Sequence, residues 1–255
     1  MPPDWLEPVD PRPQARREWL AFAMTGVGMG VFAIYLFGFL VLSLMGDPNL
    51  RRWLDGPEWE WYVKFPTLIS NLFAAFLFLG GSADSPRRSD VRWLILLTVA
   101  SLGLWCSQHA SLFGFAADLA SESTDPVRSF LFRAFLFARI WIVAKLASSA
   151  ISQSGERDTH ALTSLITLTA TLGFVGWLIF AINLVSWNQW PLKWGGFQSL
   201  EWFMIMLLSV LARATALFLT TGLCLAASAT RSRDLARLHH EAKENDPFGP
   251  GSPWT

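Results

Sequence analysis

Six apolar runs, separated by shorter polar stretches, organise this sequence: 19–45, 65–79, 93–115, 129–146, 162–185 and 200–227. A helix crosses a hydrocarbon core of ~30 Å with about 20 residues, each rising ~1.5 Å, and most of the runs reach that length. The pattern predicts an all-α, polytopic transmembrane helical bundle of six spans. Residues 1–18 make a polar leading segment, 19–227 the transmembrane domain and 228–255 a polar tail, with helical character from Arg231 to Lys243. The leading segment carries both charge signs, and the run behind it is too long for the core of a cleavable signal, so the first helix is expected to stay as an anchor.

Two runs are weaker than the rest. The second, 65–79, covers only ~22 Å unless Trp61, Tyr62 and Val63 add an outer turn before Pro66. The fourth carries Arg133 and Arg139. If it lay along the interface instead of crossing, the chain would have five spans and its termini on opposite sides.

Positive charge between the runs sets the orientation. Arg12, Arg16, Arg17, Arg87, Arg88, Arg92, Lys145, Arg157, Arg231, Arg233, Arg237 and Lys243 fall on one side of a six-span chain. Only Arg51, Arg52, Lys64, Arg128 and Lys193 fall on the other. This excess predicts both termini in the cytoplasm. The opposite side holds Trp53, Trp59, Trp61, Trp187, Trp190 and Trp194, which suit the headgroup level because the ring is apolar while its N–H needs a partner.

Composition agrees with this picture. Apolar residues make up 52% of the chain and charged ones 16%, against roughly 25% in soluble domains. The formal net charge is zero and no basic run occurs, which argues against nucleic acid as a partner. Cys106 and Cys224 lie inside apolar runs and read as small buried hydrophobes, with no spacing that suggests a metal site. No HExxH, GxSxG or paired aspartates appear, so the chain is read as non-enzymatic. Cys106 and His109 sit one helical turn apart, but a thiolate is disfavoured in apolar surroundings.

Charges at membrane depth are the strongest pointers to function, since an unpaired one costs at least ~2.5–3.5 kcal/mol at a helix centre. Arg139 and Arg213 lie near the middle of the fourth and sixth runs, and Arg133 in the outer third of the fourth. No Asp or Glu lies at similar depth, Glu201 being the nearest. The spacing of Arg128, Arg133, Arg139 and Lys145 is five, six and six, which is no voltage-sensing ladder. Three readings follow. The arginines bond polar groups of neighbouring helices or snorkel outward. They hold an anionic ligand such as a lipid phosphate or a carboxylate, which a planar guanidinium fork suits. Or they meet carboxylates of another subunit.

Asn71, Gln108, His109, Arg133, Asn183 and Glu201 all fall in the outer halves of their runs and are candidates for one polar pocket. His109 is also a candidate axial ligand for haem or a chlorophyll-type pigment, with Met204 or Met206 as a second ligand. Gly26-x-x-x-Gly30 and the pair Gly173 and Gly176 permit close helix approach. Thr163, Ser164, Thr167, Thr169 and Thr171 are expected to bond the backbone one turn back. The first and last three runs share no local pattern, so a transporter of two related halves is not indicated. The expected function is a non-catalytic, accessory subunit of a larger complex in a bacterial-type inner membrane, with membrane lipids and other membrane subunits as partners. The alternatives are a carrier or binder of an anionic lipid or small solute, and a haem- or pigment-binding subunit through His109.

Overall fold

The computed structural model describes residues 11–45, 63, 65–81, 85–108, 126–153, 159–189 and 200–244. Among them every regular element is an α-helix: α1 Arg12–Met45, α2 Phe65–Gly81, α3 Ser85–Gln108, α4 Pro126–Gln153, α5 His160–Gln189 and α6 Leu200–Glu244. The six helices correspond one to one with the six apolar runs. Several extend well into polar sequence, α1 by seven residues before Trp19 and α6 by seventeen after Ala227. Pro13, Pro66, Pro86 and Pro126 stand in the first turns of α1, α2, α3 and α4, where the missing N–H has no helical acceptor to lose.

The helices form a closed ring in chain order, α1 packing on both α2 and α6, with α4 also reaching across to α6. Neighbours run antiparallel. Along the α1–α6 seam, Ser228 bonds the Trp19 carbonyl, Gly26 faces Cys224, Gly30 faces Thr221 and Phe37 meets Phe218. The α1–α2 seam pairs Phe22 with Phe78, while Ser70 and Thr67 donate to the carbonyls of Met24 and Gly28. The glycines explain how closely these backbones approach. A Cβ at Gly30 would sit 3.2 Å from Thr221 Cγ2, and one at Gly28 3.3 Å from Ser70 Oγ.

The outside of the ring is apolar. Ile34, Val27, Leu168, Leu172, Leu208, Phe76 and Leu96 are each more than half exposed. A surface of this kind is an aggregation hazard in water and ordinary in lipid. Four helices, α1, α3, α5 and α6, contain segments long and apolar enough to cross a membrane, which marks this as a membrane protein. The two that fall short are the two the sequence reading singles out: α2 is short and α4 carries arginine. The hydroxyls of Thr163, Thr167, Thr169 and Thr171 donate to carbonyls four residues back, so they add little polarity to α5. Cys224 is fully buried and Cys106 half-buried, both as free thiols.

Polar side chains tie one end of the ring together. Glu18 of α1 pairs with Arg231 of α6 at 2.8 Å and with Arg87 of α3 at 3.9 Å. Arg87 also donates to Ser149 of α4, Arg231 to Gln153 of α4, and Lys145 pairs with Asp90 at 2.9 Å. Ser148 and Thr159 bond each other across the α4–α5 turn. The Glu18 side chain is only 7% exposed, so its carboxylate sits among partners rather than in water. Glu18→Ala leaves two arginines facing each other without it. The variant is expected to lose about 1–3 kcal/mol, a discount on a fully buried pair because both arginines keep some solvent. Thermal unfolding in mild detergent measures this, and the loss should shrink as salt rises.

Candidate functional site

Residues Leu136, Ile140, Val143, Ala147 and Ala150 make one buried stripe along α4, spaced at three and four. Arg139 lies on that same stripe, three residues after Leu136. The helix therefore turns it into the ring and away from lipid, and its residue is 2% exposed. Helix side chains lean toward their own N-terminus, so Arg139 inclines toward the end of the ring opposite Glu18.

Inside the ring it meets a small cavity. Thr67 and Asn71 of α2, Phe32 of α1, Leu136 of α4 and Leu217 of α6 line it with Arg139. Its volume is about 10 Å³, close to the least that accommodates one water-sized group. Thr67 is already engaged, donating to the Val63 carbonyl at 2.6 Å and to that of Gly28 at 3.3 Å. Asn71 is 4% exposed, and among the described residues its Oδ1 has no partner. The Nε and Nη1 of Arg139 likewise have none, and no carboxylate meets its guanidinium among the described residues. Unmade hydrogen bonds of buried groups cost about 1–3 kcal/mol each, and more for charged ones. The unpaired N–H donors of Arg139 suit a small anion or a water there; the Asn71 Oδ1, an acceptor, suits a water, and Asn71 would meet an anion through its Nδ2.

The other arginines lie elsewhere. Arg133 stacks its guanidinium over the Trp177 ring of α5, 4.3 Å from the centroid. Around it Phe130, Phe174 and Phe137 continue the aromatic contact between α4 and α5. Arg213 of α6 lays its stem on α5 one turn earlier, where a Cβ at Gly173 would fall 2.5 Å from Arg213 Cγ. Its Nε donates to the Ser209 carbonyl at 3.2 Å, and Ser209 Oγ donates to the Gly173 carbonyl at 2.8 Å. Arg133 and Arg213 thus meet the same face of α5 on successive turns, at Trp177 and at Gly173.

Of the sequence-predicted candidates, Asn71 and Arg139 come together at the cavity, and Arg133 and Arg213 come together on α5. Arg133 is not among the residues that line the cavity with Asn71. The side chains of Gln108, Asn183 and Glu201, and all of His109, lie outside the described residues. So do the aromatic stretches around Trp53 to Trp61 and Trp190 to Trp194. Met204 is 42% exposed on α6. Thr67 and Leu217 at the cavity were not flagged by sequence. A hydroxyl one turn before Asn71 on α2 was the available signal for the first, and a leucine in an apolar run carries none for the second. Among the described residues no group of three His, Cys, Asp or Glu is placed to hold a metal. No family model, curated protein or solved structure matches the chain.

Proposed function

We propose that this protein is a six-span carrier that binds a small anion inside its helix bundle, at Arg139 and Asn71. The observation that carries the reading is Arg139, a residue 2% exposed, whose Nε and Nη1 find no acceptor among the described residues. The cavity beside it suits a monatomic ion better than an organic acid. The accessory-subunit reading rests on arginines that wait for an outside carboxylate. Arg139 faces the inside of the ring and not its outer, lipid-facing surface, which favours an internal ligand over a partner subunit's carboxylate.

The alternating directions of all six helices support six crossings, with α4 shielded by α3, α5 and α6. The ring end that gathers Arg87, Lys145 and Arg231 is the arginine- and lysine-rich side, so we place it in the cytoplasm of a plasma or inner membrane, with both termini.

The test uses protein purified in detergent and halide-free gluconate buffer, with its tryptophan fluorescence followed during heating. Fluoride, chloride and bromide are added in series. A ligand at a hundredfold its Kd stabilises by ~2.7 kcal/mol. Stabilisation is expected to rank fluoride, chloride, bromide, since the cavity accepts the smallest most readily. Arg139→Leu should abolish it and Asn71→Leu should weaken it. Equal responses in the wild type and Arg139→Leu would remove the site from consideration.

A further inference from the structure

We infer that Arg133 and Arg213 form a second anion site, distinct from the cavity, for an oxyanion of the phosphate class. Two helices, α4 and α6, bring one arginine each to a single strip of α5, the Arg133 guanidinium over Trp177 and the Arg213 stem against Gly173. These positions are one helical turn apart on one face. Two positive side chains on successive turns of one strip repel, and among the described residues neither meets a carboxylate. A multi-oxygen anion between them removes that repulsion. It also matches two planar forks, which bind phosphate through paired N–H groups.

The donors are available. Arg133 sets its guanidinium carbon over the Trp177 ring, and among the described residues its N–H groups make no hydrogen bond. Arg213 uses Nε on Ser209 and keeps its two terminal nitrogens. Glycine at 173 and 176 is what lets the Arg213 stem lie flat, since a side chain at either would meet α6.

Position suggests where the anion comes from. Both side chains lean toward the end of the ring opposite Glu18, because α4 and α6 begin there. Arg133 is seven residues inside α4, about 10 Å from its start. Both arginines are partly exposed, unlike Arg139. The surrounding α5 and α6 surfaces carry exposed Leu172, Val175, Leu208 and Leu211. A headgroup phosphate drawn down to the pair would lay its acyl chains on these residues. Free phosphate offers the same chemistry without the chains.

The experiment separates the two sources and separates this site from the inner one. Wild type, Arg133→Gln, Arg213→Gln and Arg133→Lys are purified and examined by native mass spectrometry after exchange into phosphatidylcholine micelles doped with phosphatidylglycerol. In parallel, inorganic phosphate is titrated in the absence of anionic lipid, with unfolding temperature as the readout. Wild type should retain phosphatidylglycerol, and each Gln variant should bind it at least tenfold more weakly. The Lys variant, which keeps charge but not the fork, should fall between them. Stabilisation by inorganic phosphate without lipid retention assigns the site to a soluble oxyanion and upholds the shared chemistry. Arg139→Leu should keep the phosphate-class binding, and Arg133→Gln should keep the halide response, so either site can fail alone. Equal retention and equal phosphate response in the wild type and in a Gln variant that elutes as folded protein would overturn the proposal. So would a wild type that responds to neither probe.

Discussion

Arg139→Leu is expected to raise the unfolding temperature in halide-free buffer, although it removes a buried residue from the centre of the bundle. Arg139 is 2% exposed, and two of its nitrogens have no acceptor among the described residues. A charge at membrane depth costs at least ~2.5–3.5 kcal/mol on insertion scales. Replacing buried charge by apolar groups of similar volume often stabilises by 1–4 kcal/mol. Leucine fills less space than arginine, and the widened cavity takes back part of the gain. A net rise of about 2 kcal/mol remains, or roughly 4–8 °C for a chain of this size. The stabilised variant should have lost its halide response at the same time. A fall in unfolding temperature would mean that the guanidinium holds the fold together, and an internal ligand would then lose its main support.

Gly173→Leu should have the opposite effect and the largest of any single substitution outside the charged groups. A Cβ there would lie 2.5 Å from Arg213 Cγ, 3.0 Å from the Arg213 backbone nitrogen and 3.2 Å from the Ser209 carbonyl oxygen. The first neighbour can swing away, but the two backbone atoms cannot unless α6 retreats as a whole. Retreat would stretch the 2.8 Å bond from Ser209 Oγ to the Gly173 carbonyl. Overpacking costs about 1–3 kcal/mol and the bond about 1 kcal/mol more. Alanine should already show part of the loss. Gly103, where a Cβ would meet nothing within 4 Å, provides the matched control and should accept alanine without harm. Unfolding in detergent, followed by tryptophan fluorescence, ranks the three variants.

How much of this was readable from sequence depends on which property is asked about. Helix existence was readable because lipid demands long apolar runs, and 19–45 and 200–227 could be little else. Helix ends were less so: Arg231 to Lys243 has helical character, but it is polar, and hydropathy does not report that it continues α6 unbroken through contacts such as Arg237 with Glu241. Facing direction was hidden for a physical reason. In water a helix shows its buried side by being apolar there. In lipid both sides are apolar, so Leu217 inside and Leu225 outside look alike. That is why Asn71 and Arg139 could be named separately while their meeting could not. The small-residue pairs were visible too, but Gly26-x-x-x-Gly30 is common by chance. Only the contacts with Cys224 and Thr221 distinguish a seam from an accident.

The length of α6 has a mechanical consequence. Its 45 residues make a rod of about 68 Å, more than twice the thickness of a hydrocarbon core. Leu217 touches the central cavity and Glu244 stands 27 residues further on, about 40 Å away. Ser228 and Arg231 are held to α1 and α4 on the way, so the projecting arm begins after Arg231 and runs 13 residues, about 20 Å, to Glu244. A partner that grips this arm pulls directly on the Arg231–Glu18 pair.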